Sequence, residues 1–357
     1  VGGSSMVAET PPTNASLQVC GIRVLNDADL TLTVSGSTAT LVSGAAITDW
    51  STLGLRKGMF IHIGSATNAG VLQNGLGAGG TVSYGYARIT QVNGATLSLD
   101  KLSSTLSSAV GAASLSQDVL FGRFLRNVPV TADSTDSRYS EITFQMEAAY
   151  PDLGGVGTDE YEYAIGNFVN EVAFNLALAD KATMNYGFIG TNSDDITTTR
   201  KTNASSAVSP LRTTAFNTSS SLAALTTDVV SSASDVCFKS ITLTLRNNVS
   251  AEKCLGTLGA RFMNSGIFEV SLEGQMLFTS KAIVNAIKNN TTVTFLMLLK
   301  NEDGGIAFDM PELTFGGGGR EFPVDQSVLV NITGESFTSS SYGYDIGMTI
   351  FPVVPWA

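Results

Sequence analysis

Charge is scarce in this sequence: only 14% of its 357 residues are Asp, Glu, Lys or Arg. Histidine occurs once, as His62, tryptophan twice and cysteine three times. One histidine, with no G-x-S-x-G turn, leaves a Ser-His-Asp hydrolase hard to assemble. With neither a second histidine nor a nearby cysteine it makes no metal site either, and its place between Ile61 and Ile63 predicts an exposed strand residue. Cys20, Cys237 and Cys254 are too few and too far apart for a disulfide framework or a zinc cluster; their odd number predicts free thiols of a reducing compartment. There is no run of the roughly 18–20 apolar residues that a membrane helix needs, so no membrane insertion is expected. The first residues, VGGSSMVAETPPTNAS, have neither the basic cluster nor the apolar core of a secretion signal, so none is expected there.

What the chain does have is 36 glycines, abundant Ser and Thr, and 43% hydrophobic residues distributed in short alternating runs. That combination predicts a mainly β protein rich in turns. Residues 1–24 read as a Gly/Ser/Pro/Thr-rich arm ending in a short strand at 17–24. Five short strands follow, at 29–34, 38–42, 58–63, 84–92 and 95–100, the last two joined by the hairpin signal Asn93-Gly94. They predict a small SH3-like or OB-like β-barrel domain over 25–125. A second domain over 126–357 is expected as a β-sandwich or barrel with one packed helix. Its strands are read at 139–148, 161–178, 182–190, 238–248, 266–278 and 292–300, with QSVLVNITG and YDIGMTIFPVV closing the domain. Its helix is SKAIVNAIKNN, with Thr279 or Ser280 as N-cap, Ile283, Val284 and Ile287 on one face, and Lys288 at the C-terminal end. Between them, 191–235 loses almost all pattern and reads as one long loop, expected to be protease-sensitive unless a neighbouring copy covers it.

The net charge of −11 is uneven. Leu25 to Leu125 holds five basic and five acidic residues, whereas Arg126 to Ala357 holds 14 basic and 25 acidic. The excess of acid therefore lies wholly in the second domain and opposes attraction to nucleic acid phosphates or an anionic membrane.

Within that domain GIFEVSLEGQMLF, Gly266 to Phe278, alternates strictly. Phe268, Val270, Leu272, Met276 and Phe278 fall on one face, Glu269, Ser271, Glu273 and Gln275 on the other. Thirteen residues at about 3.3 Å each would span roughly 40 Å, and so long a strand is expected to lie in a sheet closed or continued by partner subunits. The plain reading of its polar face is a solvated surface; the sharper one is the wall of a channel.

The remaining motifs carry little chemistry. Gly75-x-Gly77-x-x-Gly80 matches a dinucleotide fingerprint, but TVSYGYARI after it reads as a strand where that motif needs a helix. Gly316 to Gly319 has no following Lys-Ser/Thr and reads as a flexible loop. Asp194-Asp195 and Glu302-Asp303 sit in predicted turns, where acidic residues are ordinary. Trp50, Tyr84 and Tyr86 are the aromatic candidates for a glycan site in the small domain, against the commoner reading that such residues pack its core. No catalytic residue, metal or cofactor is expected.

The order of elements from Tyr139 to Pro352 resembles the major tail tube proteins of long-tailed, non-contractile bacteriophages. The likeness is carried by SEITFQME, by Tyr161-x-Tyr163-x-x-Gly166-x-x-x-Asn170, by MNYGFIG ending at Gly190, and by ITLTLRNN. It continues with the Leu255-Gly256 step, GIFEVSLEGQMLF with its helix, and Asp309-Met310-Pro311-Glu312-Leu313. Asp49 to Ile63 and GYARIT at 85–90 are similar to insert domains of some such proteins. The resemblance implies a structural, non-enzymatic virion subunit, made in the host bacterial cytoplasm and assembled into hexameric rings that stack as the tail tube. Implied partners are further copies of the chain, the tape measure protein, the tail terminator and tail-tip proteins, and DNA passing without specific binding. Glu269, Ser271, Glu273 and Gln275 would line the lumen. Another virion structural or decoration protein, or a glycan-binding adhesin, is the alternative.

Overall fold

The structure, a computed structural model, describes residues 4–8, 22–26, 30–44, 47–63, 72–74, 81–110, 116–129, 142–155, 157–201, 215–228, 237–279, 281–301, 304–322 and 327–351. Strand β1 (Ser4–Ala8) is followed by ten strands that share one antiparallel sheet: β2 (Ile22–Asn26), β3 (Leu30–Ser35), β4 (Thr38–Ser43), β5 (Phe60–Ile63), β6 (Leu72–Asn74), β7 (Thr81–Ser83), β8 (Gly85–Asn93), β9 (Thr96–Asp100), β10 (Ala109–Val110) and β11 (Ser116–Phe121). The chain then enters a thirteen-stranded sheet through β12 (Arg123–Pro129), which pairs with β1. There follow β13 (Phe144–Tyr150), β14 (Glu160–Ala177), β15 (Thr183–Ile189), β16 (Asn192–Ser193), β17 (Leu222–Thr227) and β18 (Phe238–Arg246). A separate hairpin of β19 (Ser250–Lys253) and β20 (Ala260–Asn264) precedes β21 (Glu269–Leu277) and the helix α1 (Lys281–Lys288). Strands β22 (Thr292–Asn301), β23 (Gly304–Glu321), β24 (Leu329–Ser336) and β25 (Gly347–Phe351) complete the large sheet.

Side-chain alternation sorts these strands into layers. Ile241, Leu243 and Leu245 of β18, Val270, Leu272 and Met276 of β21, and Val330 and Ile332 of β24 share one core with Phe295, Met297 and Leu299 of β22 and Phe308 and Met310 of β23. The intervening residues of β22, Leu296 and Leu298, turn to the other side and meet Ala224, Ala307, Phe351 and Phe60 of β5. A middle layer of β17, β22, β25 and the first half of β23 is thus covered on both faces, by β18, β21 and β24 in front and by the ten-stranded sheet behind. This is why TVTFLMLLK is apolar on both faces, as predicted for a buried strand, with Val293 to Leu299 all buried.

A charged network joins the ten-stranded sheet to the middle layer. Arg88 donates from Nη1 to both oxygens of Asp309, at 2.9 and 3.0 Å, and from Nε and Nη2 to Asp100, at 2.9 and 2.7 Å. Arg88 and Asp309 are buried, and Tyr344 donates to Asp309 Oδ2 at 3.1 Å. Burial pushes the Asp309 carboxyl up, against the pull of the Arg88 guanidinium. Tyr344 itself sits in the core of the ten-stranded sheet, where a Cβ on Gly58 would fall 2.2 Å from its hydroxyl. Gly58, at φ +90°, serves both the turn and that close approach.

The five predicted strands of the smaller sheet are all present, and Gly94 and Ala95 close the expected hairpin, but the sheet has five strands more. His62 is not exposed. All four residues of β5 are buried, and His62 shares the face of Phe60 that is pressed on the middle layer. Trp50 belongs to the core and donates from Nε1 to Ala95 O at 2.8 Å.

In the large sheet the alternation of 266–278 is observed, yet the strand has nine residues and is interior. It pairs with β18 on one side and β24 on the other, so it has no open edge. The longest strands are β14 and β23, with 18 residues each. Gly316 to Gly319 is not a loop: it continues β23, with a register shift where Gly317 and Gly318 take φ +79° and +81°. The bulge lets Gly318 lie against Ile287 of α1, and only glycine enters that conformation without strain. Nor is 191–235 one loop. Short β16 continues the β14 ladder and LAALTT forms β17, with Ala224, Leu225 and Thr227 buried. α1 buries Ile283, Val284 and Ala286, with Ile287 packed beside them. The predicted cap Ser280, the glycines of 75–80, Glu302-Asp303 and Cys20 lie outside the described residues.

Candidate functional site

The front layer presents a polar face to solvent. It runs from β15 through β14, β18, β21 and β24 to the second half of β23, and antiparallel register aligns its outward residues in rows. Glu171, Arg246 and Glu269 form one row. Asn175, Thr242, Glu273 and Thr333 form a second; Thr244, Ser271 and Glu335 a third; Gln275 and Asn331 pair in a fourth. Arg246 Nε donates to Glu171 Oε2 at 2.8 Å, Thr242 Oγ1 to Asn175 Oδ1 at 3.1 Å, and Gln275 Nε2 to Asn331 Oδ1 at 3.2 Å. Asn331 Nδ2 donates to Glu321 Oε1 at 2.5 Å.

Glu171, Glu269, Glu273 and Glu335 thus face one guanidinium in these rows, and the surface is acidic. Glu171 by its hydrogen bond, then Glu269 and Glu273 by their charge, hold Arg246 above its usual value. The four predicted residues do share this face, with Glu269 and Glu273 exposed and Ser271 and Gln275 half-buried. Their neighbours across the ladder, Glu171, Asn175, Thr242, Arg246, Asn331 and Glu335, were not singled out by sequence. The signal was there, as polar residues at alternate positions of 161–178 and 238–248, but only register shows that the rows meet.

At one side this sheet ends in an unfinished edge. Strand β15 pairs with β14 alone among the described strands, and Met184, Tyr186 and Phe188 along it are 46%, 52% and 38% exposed. Tyr186 stacks on Phe188 at 6.1 Å, and Phe188 meets Phe144 of β13 edge-on at 6.1 Å; Ile142 is exposed nearby in sequence. Open strand edges with apolar side chains invite pairing with another chain.

A family model described as phage tail tube protein matches residues 22–335, most of the chain. The chain belongs to the phage tail tube protein family. No curated protein matches it. As a tail tube protein it is a structural component of the virion tail that assembles with other copies into a multimeric tube, and its family is not one of enzymes. The matched span includes the whole ten-stranded sheet, so the family pattern runs through that sheet.

Of the acidic pairs singled out by sequence, Asp194-Asp195 lies among the described residues of this tail tube chain. Asp194 forms an ion pair with Lys201, and Asp195 is exposed in the same loop. Among the described residues there is no His/Cys/Asp/Glu cluster that would hold a metal and no helix long and apolar enough to cross a membrane.

Proposed function

We propose that the polar face of the front sheet is the inner wall of the tail tube of a long-tailed, non-contractile phage. Hexameric rings form as copies continue this sheet from one to the next, and stacked rings enclose the tape measure protein and later conduct DNA. The observation that carries the reading is the pairing of an acidic, outward-facing sheet with an open apolar edge at β15. A wall of this kind repels phosphates weakly, so a duplex slides without being held. Residues 25–125 act as a separate domain in this reading. Because the ten-stranded sheet packs on the back of the middle layer, away from the acidic face, it decorates the outside of the tube.

Electron microscopy of the purified protein tests the assembly: six-fold rings or hollow tubes are expected, and a protein that stays monomeric at every concentration contradicts it. Glu269→Lys combined with Glu273→Lys tests the lumen. Tubes should form normally, retain double-stranded DNA at low salt, release it at high salt, and reduce delivery of the genome. Unchanged delivery with both lysines present counts against these residues lining the channel.

A further inference from the structure

Two exposed apolar features lie at opposite ends of β14 and β18. At one end the turn between β19 and β20 carries Leu255 and Leu258, which are 105% and 93% exposed. The turn is ordered from within: Thr257 Oγ1 donates to Cys254 O at 2.8 Å and accepts from Cys254 N at 3.2 Å. Ala260 N donates to Thr191 O, beside the point where β16 pairs with Ile165 of β14. At the other end, where Ala177 pairs with Ser240, a groove of about 330 Å³ opens between the front sheet and β17. Leu176, Leu178, Leu222, Ala223, Cys237 and Phe238 line it, and Leu178 is 67% exposed. Among the described strands β17 pairs only with β22, and its other side faces the groove. From Ile165 to Ala177 the strand advances about 40 Å at ~3.3 Å per residue.

We infer that the β19–β20 turn of one copy seats Leu255 and Leu258 in the Leu178/Leu222 groove of a second copy. The contact is head to tail: a projection at one end of the molecule fills a recess at the other, and a contact of that kind repeats without closing on itself. The occupant is a further copy of this chain, because an assembling tube brings the same two ends together at every step. The inference rests on the tube reading above and assigns the surfaces that join ring to ring along the axis.

The native thiols report on the contact, since Cys254 opens the turn and Cys237 lies on the groove, both unpaired. Full-length chain carrying Cys20→Ser is treated with a short bis-maleimide, once as assembled tubes and once dissociated. Tubes should give a ladder of covalent oligomers whose mapped peptides join Cys237 to Cys254, and dissociated chain should not. Cys237→Ser or Cys254→Ser should abolish the ladder. Leu255→Asp with Leu258→Asp, both at solvent-exposed positions, should leave the fold and single rings intact and stop elongation, as should Leu178→Asp. Tubes of ordinary length from the double variant, or reactive thiols in tubes that join elsewhere or not at all, overturn the assignment. Wild-type protein that gives neither rings nor tubes overturns the tube reading itself, so the two failures are told apart.

Discussion

The two sheets differ in how completely each hides its apolar side chains. In the ten-stranded sheet Trp50, Phe60, Phe121, Leu30, Leu32 and Leu41 are fully buried, and none of its described large hydrophobic residues is exposed. The large sheet has as full a core, yet every strongly exposed large hydrophobic residue of the described chain, from Ile142 to Phe337, belongs to that half. The charge is divided the same way, neutral in the first region and strongly acidic in the second. One region is finished by its own chain. The other keeps its acid on one face and its exposed apolar residues on edges and tips, where the proposed tube would use them.

The largest effect is expected where the finished region is fastened to the unfinished one. Arg88→Ala leaves Asp309 buried without its guanidinium, and loss of one partner of such a pair costs about 3–5 kcal/mol. Urea unfolding of the monomer should show that loss. Arg88→Met with Asp309→Leu should recover much of it, since removing both charges removes the desolvation penalty as well. A loss below about 1 kcal/mol for Arg88→Ala, the size of an exposed ion pair, would mean the two sheets are held by apolar contacts alone.

That junction is also where sequence reading stops. Strand positions were legible, because alternation survives in nearly every strand of the second half, and α1 was legible from the spacing of Ile283, Val284 and Ile287. His62 was not, because a strand's pattern tells which residues share a face and not what covers that face; here a second sheet lies on both Phe60 and His62. Gly316 to Gly319 has the composition of a loop, and only pairing with β24 shows that a bulge lets one strand continue past α1. The polar rows of the candidate wall were half legible. Glu269, Ser271, Glu273 and Gln275 are read from one strand, whereas Glu171 and Arg246 join them through register, which a single sequence does not state. β15 was read as a strand at 182–190, but its place at the edge was not, because MNYGFIG alternates in the same way whether its apolar face meets the chain's own core or another copy.

A smaller effect is expected at that open edge, and it separates folding from assembly. Tyr186→Ser and Phe188→Ser each remove a half-exposed aromatic ring, so monomer stability should change by no more than about 0.5 kcal/mol. With about half of each ring left to bury, each contact between copies should weaken by about 0.7–1.5 kcal/mol per ring, enough to move the onset of assembly to roughly three- to tenfold higher concentration. Sedimentation velocity across a concentration series reads both species. Equal losses in the two measurements would place these rings in the subunit's own core and erase the contrast between the regions.

The smallest effect concerns the arm of β13 and β14 beyond the shared core. Glu147 accepts from Arg200 Nε and Nη2, at 2.9 and 2.7 Å, and from the Tyr163 hydroxyl at 2.8 Å, which ties residues 197–201 across the strands. The Arg200 hydrogen bond, then that of Tyr163, holds Glu147 below its ordinary value of 4.5. A carboxylate whose folded value is depressed contributes stability above its unfolded value and loses it as pH falls through the folded one. Acidification below 4.5 should therefore raise amide exchange at Thr197 and Lys201, whose N–H groups bond Tyr161 O and Tyr163 Oη, ahead of the ten-stranded sheet. Glu147→Gln should produce the same local opening at neutral pH and remove its dependence on acid. Simultaneous opening of both regions would show instead that the arm is part of the same cooperative unit as the finished sheet.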